Sequence, residues 1–200
     1  MLRRYRSDIL LLSFFLGGSS GGLWETLWTF FRWGSLEWKS GIMFFPLCNP
    51  IYGIGALLIT CFAQRTRRFL PLYAFSVAAC TAAEFFFSFA EELVLGSISW
   101  DYSSHFMNIN GRVNVLYSLF WGFLAVFWVY IMLPQLLKWC DSNPDKTEAL
   151  ISVLLPIFIL LAVFSFIGLL FDSYGSLDSP LRSVYTQPLL SFFYPSRKFV

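Results

Sequence analysis

Residues 69–96 read FLPLYAFSVAACTAAEFFFSFAEELVLG, an apolar run with Glu84 near its middle and Glu91 and Glu92 near its end. A helix needs about 20 apolar residues to cross the hydrocarbon core of a bilayer, and this run exceeds that length. A carboxylate at membrane depth costs roughly 2.5–3.5 kcal/mol or more on insertion scales, so such residues usually face a protein interior or a water-filled cavity. The run therefore predicts a membrane-spanning helix whose glutamates are candidate functional residues.

The composition of the whole chain is typical of a membrane protein. Of its 200 residues, 57% are hydrophobic and only 13% are charged, which lies outside the usual range of soluble domains. The net charge of +2 is too small to indicate a nucleic-acid partner, so membrane lipids are the expected surroundings. Because Cys48, Cys61, Cys80 and Cys140 have no zinc-type spacing, we expect neither a metal site nor a cofactor.

Five apolar runs are long enough to cross a bilayer as helices. They predict an all-α fold, a polytopic bundle of about five transmembrane helices, because lipid accepts only helices or closed barrels and these runs lack strand-like alternation. We expect residues 1–171 to form one transmembrane domain and residues 172–200 a mixed tail that could lie at the membrane interface. The runs are Ile9 to Phe31, Met43 to Ala63, Phe69 to Leu95, Val113 to Leu137, and Leu150 to Phe171.

Basic residues cluster at alternate ends of these runs and indicate their orientation. Cytoplasmic loops carry an excess of Lys and Arg, so the pattern predicts a multi-pass membrane protein with a cytoplasmic N-terminus. The residues that carry this prediction are Arg3, Arg4, Arg6, Arg65, Arg67, Arg68, Lys138 and Lys146.

The first run allows two interpretations, because small residues occupy positions 17–22. Basic residues followed by an apolar stretch and small residues have the outline of a cleaved secretory signal. Apolar sequence resumes at Leu23, which favours an uncleaved helix. The small residues would then allow this helix to pack closely against a neighbour.

The predicted orientation brings polar residues from separate segments to the outer half of the membrane. Glu25 lies toward the outer end of the first helix, Tyr52 at the outer end of the second, and Glu84 near the middle of the third. Helix geometry places Glu84 and Glu92 within about 100° of one face. We therefore expect an outward-facing pocket lined by carboxylates. Its other candidate residues are Trp100, Asp101, Tyr102, Asn108 and Arg112.

Two interpretations of this cluster remain open. Close carboxylates in a low-dielectric site suit proton exchange, while a bound cation or Arg112 would keep them ionised. The alternative is a structural network that only locks the helices together. Asp101 and Arg112 are expected to gate or brace the mouth, with Arg112 as the positive partner of the acidic residues. Residues 45–55 hold two prolines and two glycines, and form either a bent element lining the site or a plain loop.

The chain lacks the motifs of nucleotide and hydrolytic chemistry. It has no GxxxxGK[ST] phosphate loop, no GxSxG nucleophile elbow and no HExxH zinc helix. No catalytic residue can be assigned, and any use of ATP requires a separate ATPase subunit.

Several blocks of residues together carry a resemblance to a known protein family. The most specific is Trp100-Asp101-Tyr102-Ser103 followed by Asn108-Ile109-Asn110-Gly111-Arg112. The others are Gly21-x-x-Trp24-Glu25, Pro50-Ile51-Tyr52-Gly53-x-Gly55-Ala56-Leu57, and Glu84 with Ser88 and Glu92. In these blocks the chain resembles the bacterial putative ABC-transporter permease family, type IV. The resemblance implies a small multi-helix inner-membrane permease.

Three functions are compatible with these features. The first is a transporter subunit whose pocket binds a proton, a cation or a cationic group of the substrate. The second is a membrane-embedded enzyme that uses the same carboxylates as general acid and base on a lipid-like substrate. The third is a non-catalytic accessory or sensor subunit whose pocket only binds.

Overall fold

The computed structural model describes residues 6–34, 36, 39, 41–43, 48–174 and 198–199, and in this part of the chain the fold is helical. The predicted all-α membrane bundle is confirmed, with five helices in the described residues. The helices are α1 (Ser7–Trp33), α2 (Pro50–Ala63), α3 (Phe69–Leu95), α4 (Val115–Ser142) and α5 (Pro144–Tyr174). The predicted bend at Phe45 to Leu47 and the tail over 175–197 lie outside the described residues.

Two pairs of short antiparallel strands complete the described fold. Strand β2 (Asn108–Ile109) pairs with β3 (Val113–Asn114), so a hairpin precedes α4. Asn110 and Gly111 form its turn with positive φ angles of 52° and 68°, a region that glycine adopts readily. Strand β1 (Ser97–Ile98) directly follows α3 and pairs with β4 (Lys198–Phe199) near the end of the chain.

Three helices of the described chain are long and apolar enough to cross a membrane, namely Phe69–Leu95, Val115–Ser142 and Pro144–Leu170. The chain is therefore a membrane protein. Helix α2 is also apolar but has only 14 residues, about 21 Å at 1.5 Å per residue, which is shorter than a hydrocarbon core of about 30 Å. The count of five spans and the cytoplasmic N-terminus stay predictions.

Helix α2 begins at Pro50, seven residues later than the start of the apolar run in the sequence. The side chain of Asn49 accepts a hydrogen bond of 3.2 Å from the Ile51 amide, and Pro50 occupies the first turn, where its missing N–H costs nothing. An apolar run alone does not show where a helix starts inside it. Here the Asn49 cap determines the first residue of α2.

Helices α1 and α2 pack at very short range through glycines of α1. A Cβ atom built on Gly17 would lie 2.3 Å from the Ala56 Cβ, and one built on Gly21 would lie 2.2 Å from the Tyr52 Cγ. Any side chain at these positions would push the helices apart. The predicted close packing of the small residues in α1 is therefore confirmed, as is usual for small-residue faces in membranes.

The chain between α1 and α2 lies against the second half of α1. The Asn49 amide donates to the Gly18 carbonyl at 3.0 Å, and the Asn49 side-chain amide donates to the Lys39 carbonyl at 3.0 Å. The Lys39 amide in turn donates to the Thr26 hydroxyl at 3.0 Å. Irregular backbone at membrane depth is tolerated where protein satisfies its polar groups, and these three bonds do so for the backbone groups of Asn49 and Lys39 that they involve.

The core lies between α1, α2, α3 and α4. The Trp128 indole donates to the Thr60 hydroxyl at 2.8 Å, and the rings of Phe62 and Phe75 stack with centroids 3.9 Å apart. Trp128–Met132 form a π-helical turn within α4. Pro134 follows this turn and lacks the amide hydrogen of a regular helix, so we attribute the wider turn to the space that the proline ring requires.

We expect Gly17→Leu to destabilise the protein, because the new side chain would overlap Ala56 across the α1–α2 contact. Overpacking of this kind costs about 1–3 kcal/mol. The melting temperature in detergent, followed by tryptophan fluorescence, should fall. Leu23→Phe, which adds bulk at an exposed position of the same helix, is the matched control. Equal melting temperatures for both variants and the wild type would contradict the close contact.

Candidate functional site

Glu84 is a buried carboxylate that accepts hydrogen bonds from two neutral donors. Its side chain is on α3, and the residue is 6% exposed. Oε1 accepts a hydrogen bond of 3.2 Å from the Tyr102 hydroxyl, and Oε2 accepts one of 3.0 Å from the Trp121 indole nitrogen. Within the described part of the chain, no Lys or Arg forms an ion pair with Glu84. No cation among the described residues therefore balances the negative charge of this group when it is ionised.

A second carboxylate, Glu25 of α1, belongs to the same cluster. It interacts with the Tyr52 hydroxyl of α2 through a side-chain hydrogen bond, and the charge of Lys39 acts on it. Glu25 and Glu84 are close enough to interact electrostatically. The structure thus brings together Glu25, Tyr52 and Glu84, which lie on three different helices.

Aromatic rings surround this pair of carboxylates. The Tyr52 ring lies against Trp121 with centroids 5.5 Å apart, and the Tyr102 ring lies against Tyr117 at 5.0 Å. Burial raises the pKa of the Tyr102 hydroxyl well above its ordinary value, and the adjacent charge of Glu84 raises it further. Tyr102 therefore keeps its proton at neutral pH and remains a hydrogen-bond donor to Glu84.

Tyr102 reaches Glu84 because the loop between α3 and α4 is tightly ordered. The Tyr102 amide donates to the Gly111 carbonyl at 2.7 Å, and Asp101 Oδ1 accepts from the Ser103 amide at 2.9 Å. Asn108 accepts from the Gly111 amide at 3.0 Å and donates to the Ser103 carbonyl at 3.1 Å. The hydrogen bonds of Asp101 and Asn108 thus stabilise the conformation of the loop that carries Tyr102.

Glu92 and Arg112 form a separate cluster near the end of α3. They are joined by an ion pair, and Arg112 Nη1 donates to the Ser88 hydroxyl at 3.2 Å. The Trp100 indole donates to the Arg112 carbonyl at 2.8 Å, which fixes the backbone there. The Glu92 side chain is 37% exposed, so it lies at the margin of the fold. Arg112 is predicted to be the positive partner of the acidic residues, and the structure shows its ion pair with one of them, Glu92.

The neighbouring Glu91 has a different role from Glu92. It is 5% exposed, and its two carboxylate oxygens accept hydrogen bonds from the Ser99 amide at 2.9 Å and the Ser99 hydroxyl at 2.8 Å. Of these two adjacent glutamates, Glu91 is therefore the buried one, and it anchors the chain that leaves α3.

Sequence reasoning missed Trp121, which is a direct partner of Glu84. It lies in an apolar run, where a tryptophan is first interpreted as packing. The signal that could have found it is the indole N–H, because a buried tryptophan usually requires a hydrogen-bond acceptor. Tyr117 was missed for the same reason.

The comparisons with known proteins give one match. Residues 12–169 match the family model described as Putative ABC-transporter type IV, which covers all five helices in whole or in part. No curated protein and no solved structure matches the chain.

We expect Trp121→Phe to destabilise the protein, because Glu84 Oε2 would lose its donor while the aromatic packing is largely kept. Hydrogen bonds of this kind within membranes are worth roughly 1–2 kcal/mol in model helices. The melting temperature in detergent should therefore fall. Trp24→Phe, the same change at a position that is 58% exposed, should have no such effect. A similar melting temperature for both variants would show that the bond to Glu84 contributes nothing.

Proposed function

The chain belongs to the family described as putative ABC-transporter type IV, and from that premise we propose that it is a membrane permease subunit. In this proposal, the cluster of Glu25, Tyr52 and Glu84 binds a proton, a cation or a cationic group of the substrate. The cluster is the pocket in which the subunit recognises the substrate or ion that it transports.

The surroundings of Glu84 are the observation that carries this proposal. A carboxylate transferred from water to an apolar interior without a compensating charge is strongly disfavoured. Glu84 is buried, and its hydrogen-bond partners Tyr102 and Trp121 are both neutral. The site is therefore best satisfied when a positive species, either a proton or a cation, joins it.

The second carboxylate strengthens the preference for a positive species. Glu25 and Glu84 repel each other when both are ionised, and a low dielectric makes this repulsion larger. The positive charge of Lys39 attracts the Glu25 carboxylate. A cation between the two carboxylates would relieve the repulsion, and so would a proton on one of them.

In the proposal, the loop between α3 and α4 and the ion pair between Arg112 and Glu92 form the mouth of the pocket. The loop that carries Trp100, Asp101 and Asn108 holds Tyr102 over Glu84. The ion pair between Arg112 and Glu92 joins this loop to α3. We propose that these residues brace the mouth, so that Tyr102 leaves Glu84 only when the loop moves.

A test of the cluster uses ligand-dependent stability, since a bound ligand stabilises the folded state by mass action. The melting temperature of the wild type should rise with one member of a panel of inorganic and organic cations, or should change with pH if the ligand is a proton. Glu84→Gln should lose this response. Glu148→Gln, an exposed position, should retain it.

Glu25→Gln provides a second variant in case Glu84→Gln fails to fold. The proposal is wrong if the wild type and the Glu84 and Glu25 variants respond equally to every cation and to pH. A response that is present only in the wild type and Glu148→Gln would support it.

An ABC-type transporter also requires an ATPase subunit, and we propose that a separate protein supplies it. The link Gln64 to Arg68 and the segment Lys138 to Glu148, in which Asn143 joins the ends of α4 and α5, lie on the predicted cytoplasmic side and are the proposed contact surface. Their described residues are largely exposed.

We expect a nucleotide-binding protein to co-purify with the chain in stoichiometric amount from its native membranes. Charge reversal at Arg65 and Arg68 should reduce its recovery, whereas Arg32→Glu near the opposite end of the bundle should not. Mass spectrometry of the purified complex provides the measurement. Recovery of the chain without any ATPase, under conditions that preserve other transporters, would favour an accessory or sensor role.

A further inference from the structure

An apolar cleft shares no wall residue with the Glu84 cluster. It has a volume of about 600 Å³ and is bounded by α1, the second half of α4 and the first half of α5. Representative wall residues are Phe15 of α1, Leu136 of α4, and Leu154 and Phe158 of α5. The volume is within the roughly 300–1,000 Å³ of sites that bind small molecules.

Two polar side chains of the cleft wall, Ser20 and Gln135, are bonded within their own helices. The Ser20 hydroxyl donates to the Leu16 carbonyl at 2.6 Å, and the Gln135 side-chain amide donates to the Ile131 carbonyl at 3.0 Å. These donors are therefore already used. The cleft suits a hydrocarbon ligand and offers little to a polar one.

The length of the cleft matches one leaflet of a bilayer. Its α5 wall runs from Leu150 to Leu161, about 16 Å at 1.5 Å per residue. Half of the hydrocarbon core is about 15 Å thick. Only 6% of the apolar window of α5 is buried against the other described residues, so they leave most of this window open to lipid. The cleft, which α5 borders, can therefore be reached from the bilayer.

A lysine lies at the end of the cleft where α5 begins. Lys146 precedes Leu150 by four residues, so both are on the same face of α5, with Lys146 one turn closer to the membrane surface. Lys146 is exposed, and in the described part of the chain it forms no ion pair. An ammonium group at this height is placed to meet a lipid phosphate.

We propose that this cleft is a binding site for a phospholipid, with one acyl chain between α1, α4 and α5 and the phosphate at Lys146. The lipid fills the space between the loosely packed α5 and the rest of the bundle. The site is independent of the proposed cation pocket, and its test requires no transport assay.

The test uses the full chain in liposomes of phosphatidylethanolamine that contain phosphatidylglycerol with a diazirine in one acyl chain. After illumination, peptide mass spectrometry locates the cross-links. We expect the Leu154 face of α5 to be labelled several-fold more than its opposite face. Leu154→Trp, which fills the cleft, should remove this excess, while Leu160→Trp on the outward face should not.

The headgroup is tested separately with Lys146→Gln. An ammonium near a membrane surface contributes about a fivefold preference for an anionic lipid, so labelling by phosphatidylglycerol should fall by about that factor. Labelling by a diacylglycerol with the same diazirine, which has no phosphate, should be unchanged. Equal losses with both probes would overturn the role of Lys146.

Two results would overturn the lipid site itself. Uniform labelling around α5, insensitive to Leu154→Trp in a protein that still melts as the wild type, would show that the cleft holds no particular lipid. Cross-links from the Leu154 face to a second copy of the chain would show that the cleft is a contact between protein subunits. If Leu154→Trp does not fold, Ile157→Trp serves as the filling variant.

Discussion

The hydrogen bonds to Glu84 connect three parts of the chain that are distant in sequence. Tyr102 comes from the loop after α3, and Trp121 comes from α4. In lipid, every polar group must find its partner within the protein, so a carboxylate placed in the middle of α3 constrains what can lie beside it. The position of the loop brings the Tyr102 hydroxyl to Glu84, and the rotation of α4 about its axis brings the Trp121 indole to the same side chain.

The glycine contact between α1 and α2 has a comparable effect on the other half of the cluster. Because Gly17 and Gly21 have no side chains, the start of α2 reaches the middle of α1. That short distance places Tyr52 beside Glu25, while Asn49 bonds to the Gly18 carbonyl. A larger residue at Gly21 would displace Tyr52, which is the hydrogen-bond partner of Glu25. The small residues of α1 are therefore a requirement of the site as well as of the packing.

Much of the fold could be predicted from the sequence, because apolar length and composition act over whole helices. The five helices and the close packing of α1 followed from such patterns. The start of α2 did not, because it depends on one cap at Asn49. For the site, the sequence predicts a pocket that includes Glu25, Tyr52 and Glu84; these residues interact in the structure, and the pocket itself stays a prediction. Helical period alone did not distinguish Glu91 from Glu92, since adjacent positions are only about 100° apart.

The contrast between Glu84 and Glu92 bears on whether the cluster is only structural. Both residues are on α3, and Glu92 has Arg112 as a cationic partner although it is partly exposed. Glu84 is more deeply buried, where an unpaired charge costs more, yet its partners are neutral. A structural network can hold either a buried ion pair or a carboxyl group with neutral donors, because burying an ion pair carries a desolvation penalty for both partners. The neutral donors around Glu84 meet one requirement of the proposed site, in which the positive partner arrives and leaves, because a permanent cation there would exclude the ligand.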